Sequence, residues 1–255
     1  MLTGLLITTA LAAAPPIGEG THALFMRSAT QARVPVLGER PGASEAWVLV
    51  EVGAANPEGA PARQTPCAVR MMGAGEQASV RLAPGFVEAM GTKQTHFDLT
   101  ADEDGWSVEV DLGTDHIGYE PTHTQGAIPR RADDRAVRDH EGDGHPGGTV
   151  IIDVPIFGEM EIYIAQRARS SLHGRLARDG TLEGGIAGHE LEQRTLAATH
   201  PLMRISPRMR TDPDRSVWWM VPVPADTTCA TIADRACAIR GPGPGCPDGL
   251  ADAQP

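Results

Sequence analysis

The chain has 255 residues and a mass of 27.0 kDa, and its 41% apolar share rules out compositional disorder. Aromatics are only 4%, so a core must rest on aliphatic side chains, and 29 Gly with 21 Pro call for many turns. A formal net charge of −11 argues against nucleic acid and anionic membranes as partners, because both need a positive surface.

Residues 1–14, MLTGLLITTALAAA, read as a signal peptide. The run is apolar, and Ala10-Leu11-Ala12 and Ala12-Ala13-Ala14 both fit small-x-small cleavage. No Lys or Arg precedes it. The segment is too short for a membrane-spanning helix, and no later apolar run reaches the length of a membrane span. The expected location is outside the cytoplasm, periplasmic or extracellular. Residues 15–240 are expected to form a single β domain, followed by a flexible Gly/Pro-rich tail over 241–255.

A period of two dominates the domain. Strands are expected over residues 23–28, 32–37, 46–52, 67–72 and 78–82, with a Pro/Ala/Gly loop over 53–66. Residues 84–90 can form one or two helical turns, with Pro84 early in them. Trp106, Val108, Val110 and Leu112 alternate with Ser107, Glu109 and Asp111, and Asp104-Gly105 turns this strand onto a partner at 96–100. A long polar insertion occupies residues 113–148. Strands at 149–154 and 160–165 then join through Phe157-Gly158-Glu159, and strands at 171–177 and 181–191 through Asp179-Gly180. Gly184, Gly185 and Gly188 predict a bend or bulge in the last of these. A late strand covers 217–223; on it Trp218 and Trp219 point to opposite faces, one to the core and the other to a rim or ligand. Asp226 is the expected cap of a helix that sets Cys229, Ile232, Ala233 and Ala236 on one face.

Many short antiparallel strands with few helices define an all-β fold, either a barrel or a two-sheet β-sandwich. The hairpin order over 149–191 favours an antiparallel meander closing into a barrel. That architecture resembles the lipocalin-like (calycin) exported β-barrel proteins. The resemblance implies a barrel that holds a small apolar or amphiphilic ligand. The lipocalin pattern places Gly-x-Trp near the first strand, where Gly20-Thr21-His22 has no Trp.

The four cysteines, Cys67, Cys229, Cys237 and Cys246, suit disulfides of an exported protein. Eight residues of straight helix would hold Cys229 and Cys237 about 12 Å apart, too far for a bond. Of the three possible pairings, Cys67–Cys229 with Cys237–Cys246 is therefore favoured.

The sharpest chemical signal is Asp139-His140-Glu141-Gly142-Asp143-Gly144-His145. Alternating carboxylates followed by Gly resemble the start of a calcium loop, because calcium seeks six to eight oxygens. Asp139, Glu141 and Asp143 would give side chains and His145 its carbonyl. Val150 stands where an EF-hand has its bidentate Glu, so another acid, such as Asp153 or Asp134, would be needed. The alternative is a solvated acidic turn. His116, His123, His140 and His145, beside Asp115 and Glu120, carry zinc or copper ligand types without a familiar spacing. Arg167, Arg169, Arg175 and Arg178 would either line a barrel lumen or form outside salt bridges with Glu161, Glu183 and Glu192. No G-x-S-x-G or P-loop is present.

The reading favoured by these features is an exported non-enzymatic binding protein for a small-molecule ligand. A calcium-stabilised structural or interaction protein of the cell envelope, with an envelope protein as its partner, is the first alternative. The second is a hydrolase using paired carboxylates drawn from Glu159, Glu161, Glu183 and Glu190.

Overall fold

The computed structural model describes residues 17–34, 38–57, 59–72, 79–103, 105–154 and 158–246. The expected signal peptide, residues 247–255 of the tail, Asp104 and Phe157 lie outside the described residues. The strands are β1 (Gly20–Val34), β2 (Gly38–Val52), β3 (Gly59–Met72), β4 (Ser79–Leu82), β5 (Lys93–Asp102) and β6 (Gly105–Ile117). They continue with β7 (Gly148–Val154), β8 (Gly158–Leu176), β9 (Leu182–Ala198), β10 (Arg208–Thr211) and β11 (Val217–Pro222). Among the described residues there are two short α-helices, α1 (Phe86–Ala89) and α2 (Ile232–Arg240). No helix there is long and apolar enough to cross a membrane.

Eight strands close on themselves in the order β1-β2-β3-β5-β6-β8-β9-β11, and β11 returns to β1. Every pairing is antiparallel. The fold is thus the barrel, not the sandwich. Three strands hang on its long members. β8 pairs with β6 over residues 166–176 and with β7 over 158–164, and β4 pairs outside β7. β11 covers residues 22–27 of β1, and β10 takes its place over 30–33. The barrel therefore has a lower tier, which holds the start of β1 and the β8–β9 turn, and an upper tier built on the strand extensions.

The lower tier is filled by side chains. Leu24, Val50, Phe97, Val110, Leu172 and Trp218 point inward and are each at most 1% exposed. An eight-stranded barrel is just wide enough for such filling. Trp218 depends on glycine: a Cβ on Gly174 would lie 3.0 Å from its ring and 2.2 Å from the Glu183 carbonyl. Its indole N–H donates to the His173 carbonyl at 3.1 Å.

Trp219 lies outside the barrel wall, yet it is buried, not a rim residue. It packs on Phe25 and Trp47 with ring centroids 5.5 and 5.4 Å away. Helix α2 covers this cluster, and the indole N–H of Trp219 donates to the Pro244 carbonyl at 2.9 Å. The helix starts at Ile232 behind Thr231, and Asp226 is not its cap. Asp226 stands five positions before Thr231 and accepts the guanidinium of Arg235 instead.

Two segments differ from the sequence pattern. Residues 59–66 are strand, not loop: Ala60, Ala62 and Gln64 face inward between exposed Pro61 and Arg63. Small side chains carry the alternation there, which hides it from a hydrophobicity reading. Residues 166–170 join two expected strands into the single strand β8. The expected bulge is present, with a register shift opposite Gly188.

Both disulfides match the favoured pairing, Cys67–Cys229 and Cys237–Cys246. The first ties the bulge of β3 to the approach to α2, across 162 residues of chain. Replacing both Cys67 and Cys229 by Ala should lower stability by about 3–5 kcal/mol in chemical denaturation, since a long closed loop is released in the unfolded chain.

His22 points into the lower tier at 3% exposure, with Nδ1 3.2 Å from the Gly20 carbonyl. Burial holds its imidazole below the ordinary value, against the smaller opposing pull of that carbonyl. The unfolded chain then binds the proton more readily than the folded one. The His22 contribution is present above about pH 6.5 and is lost as pH falls below it, by at most about 1.4 kcal/mol per pH unit. Denaturation at pH 7.5 and 5.5 should show this loss, and His22→Gln should reduce it.

Candidate functional site

Along the inward face of β8, character changes in steps. Met160, Ile162 and Ile164 are buried; Gln166, Ala168 and Ser170 are half-buried; Leu172 is buried again. The strand has no bulge of its own, so these alternate residues share one face. Register extends the middle step around the barrel. Gln193 lies opposite Gln166, Leu191 opposite Ala168, and Asp115 on the other side of Ala168. On the far wall Met26 lies opposite Ala46, and Ser28 opposite Ser44. All are half-buried.

The result is a belt between two apolar clusters. Below it lies the sealed floor, against which Met26 and Leu112 pack. Above it Val150, Ile162, Ile164 and Ala198 form a second cluster with Val80, Leu82, Ile152 and Met203. Ser28, Ser44, Gln166, Ser170 and Gln193 make no side-chain hydrogen bond with any described residue. They stay partly wetted, which is how uncommitted polar groups near an interior are tolerated. At one side of the belt Gln64 is 6% exposed and donates to the Thr95 hydroxyl at 3.0 Å. Lys93 pairs with Asp115, and burial draws its ammonium below the ordinary lysine range.

The upper tier is not laced shut everywhere. Among the described residues β3 pairs with β5 only over 59–64, and its later part faces β4 without a strand pairing. A hollow of about 380 Å³ sits in this seam. Val69, Met71, Val80, Leu82 and Val87 give it apolar walls, with Arg70 and Arg81 at its exposed side. Its volume falls within the range of small-molecule sites.

The expected metal ligands lie elsewhere, on the outside of β7 and β8. Asp139 accepts the amides of Gly142, Asp143 and Gly144 at 2.7, 3.1 and 2.8 Å. Asp143 accepts the His145 amide at 2.8 Å and the Thr149 hydroxyl at 2.7 Å, while Glu141 accepts the Thr149 amide at 2.6 Å. Thr149 thus brings Glu141 and Asp143 together, and Asp139 is turned toward its own loop. Burial alone would raise the Asp143 carboxyl; the bonds from Thr149 and His145 outweigh it and hold the group below its ordinary range. The His145 ring stacks on Tyr163 with centroids 4.6 Å apart. Burial, the bond to Glu161 and the Asp143 charge push the Tyr163 hydroxyl up to about 12. One Glu141 oxygen, Oε2, is buried with no hydrogen bond among the described residues. Among the described residues no three His, Cys, Asp or Glu side chains are grouped to hold a metal ion.

The other candidates are dispersed. His116 packs on Tyr119, His123 meets Arg138, and His140 packs on Phe86. The arginines of β8 lie on the outer wall. Arg167 bridges to Glu190 and Glu192, Arg169 to Asp111, and Arg175 to Asp102. Glu159 pairs with Arg81, Glu161 with Tyr163, and Glu183 with Arg240, so these glutamates are committed separately. The belt itself carries a faint sequence signal, the run Gln166-Arg167-Ala168-Arg169-Ser170 inside an otherwise alternating strand.

No protein-family model and no curated protein matches the chain. Among solved structures the chain is similar to DynF from the dynemicin biosynthesis pathway of Micromonospora chersina, at 12% identity, with 84% of this chain and 85% of that chain covered. The TM-score of that comparison is 0.29, too low to establish a common fold.

Proposed function

We propose that the protein is an exported, non-enzymatic binding protein that holds a small amphiphilic molecule in the upper tier of its barrel. The observation that carries this reading is the contrast along the inner wall. Inward residues of the floor are sealed, while those of the belt stay half-exposed and offer hydroxyl and amide groups free of protein partners. Polar groups of the ligand meet the belt. Its apolar part lies against the upper cluster and the β3–β4 hollow. Two disulfides favour an oxidising compartment and so an exported location.

Extraction of the oxidised native protein followed by mass spectrometry should release a defined amphiphile. A fluorescent long-chain amphiphile should bind the emptied protein, and Ala168→Phe should weaken it at least tenfold, about 1.4 kcal/mol. Thr100→Phe, on an exposed position of β5, should leave binding unchanged. Absence of uptake by the folded wild type would refute the proposal.

A second reading rests on one atom. The unpartnered Glu141 Oε2 beside Asp143 favours a calcium ion that fastens the acidic loop to β7. Calcium at about 100 times its Kd would add about 2.7 kcal/mol of stability. The melting temperature should then rise with calcium, fall with EDTA, and cease to respond in Asp143→Ala. An unchanged wild-type melting temperature would end this reading.

A further inference from the structure

β10 lies beside β1 at the top of the barrel, and its register sets like charges side by side. Arg208 is directly opposite Arg33, and Arg210 is opposite Gln31. On the other edge of β1, Glu39 is opposite Arg33. Alternation puts these side chains on one face, around a hollow of about 140 Å³ lined by Gln31, Arg33, Glu39, Arg208, Met209 and Arg210.

The charges at this hollow do not balance. Glu39 approaches Arg210 at 3.6 Å in an exposed pair. Asp212, the next nearby acid, accepts the Gln31 amide at 3.3 Å and the Arg215 guanidinium at 2.8 Å. Arg33 and Arg208 pair with no carboxylate among the described residues. Two guanidinium groups directly opposite on neighbouring strands repel each other, an arrangement that costs stability unless an anion lies between them. This occurs in a protein of net charge −11, where cations are in the minority.

We infer that Arg33, Arg208 and Arg210 form a binding site for a small phosphate-type oxyanion, free or carried on a compact monoester. Guanidinium forks suit oxyanions because each can give two parallel N–H bonds. The small hollow and the negative charge of the whole molecule disfavour an extended polyanion. Glu39 narrows the choice further, since it repels an anion that extends along β2. The site is independent of any ligand in the barrel interior.

The test is calorimetric titration of the full-length oxidised protein with inorganic phosphate and with phenyl phosphate, against sodium chloride at matched ionic strength. Both phosphates should bind, and Arg208→Gln should weaken them at least tenfold. Arg33→Lys keeps the charge and loses the fork, so it should weaken binding less than Arg208→Gln does. Arg63→Gln, which removes an exposed arginine paired with Glu51 elsewhere on the barrel, should bind like wild type. Circular dichroism of each variant establishes folding. Binding of phenyl phosphate alone assigns the site to monoesters, and equal binding of both assigns it to the oxyanion itself. Wild type that binds neither above the chloride control, or folded Arg208→Gln that binds like wild type, overturns the inference.

Discussion

The structure depends on β8. Of its 19 residues, 162–176 run along β9 on one side, while β7 and then β6 follow the other side. A strand with both edges filled has no orphan amides to satisfy and no exposed edge to aggregate. That continuity closes the lower barrel and carries the upper tier at once. The inner face of the same strand then divides the interior into floor, belt and upper cluster, because successive alternate residues share one wall.

The outer face of β8 explains why the polar insertion is ordered. Ala165 is fully buried beneath Tyr119 and Ile128, so a segment with few apolar residues still covers the strand at two points. Hydrogen bonds do the remainder. Asp139 gathers three successive loop amides, and Thr149 donates its amide to Glu141 and its hydroxyl to Asp143 at the entry to β7. Acidic side chains here satisfy backbone donors that a loop would otherwise leave to water.

Much of the fold was legible in alternation. Trp106 to Leu112 and Met160 to Ile164 carry it plainly, and the glycines of β9 marked a register shift. What stayed hidden has a physical reason in each case. Ala60 and Ala62 face the core without looking hydrophobic, so the start of β3 resembled a loop. Gln166 and Ser170 face inward although they are polar, so the belt had the composition of a solvent face. The acidic loop was legible as a cluster, but which oxygens meet which amides depends on turn geometry around Gly142 and Gly144. The Arg33–Arg208 juxtaposition is a matter of register between strands some 175 positions apart, which local pattern does not encode.

The long disulfide has a topological consequence. Cys67 and Cys229 turn the intervening chain into a covalent ring that contains most of the barrel wall. A single peptide-bond cut anywhere inside that ring yields no separate fragments. The two pieces remain one molecule, still joined by the barrel ladder and by sulfur. As long as the bond stays oxidised, the ring converts a first cleavage in a surface turn from fragmentation into a nick.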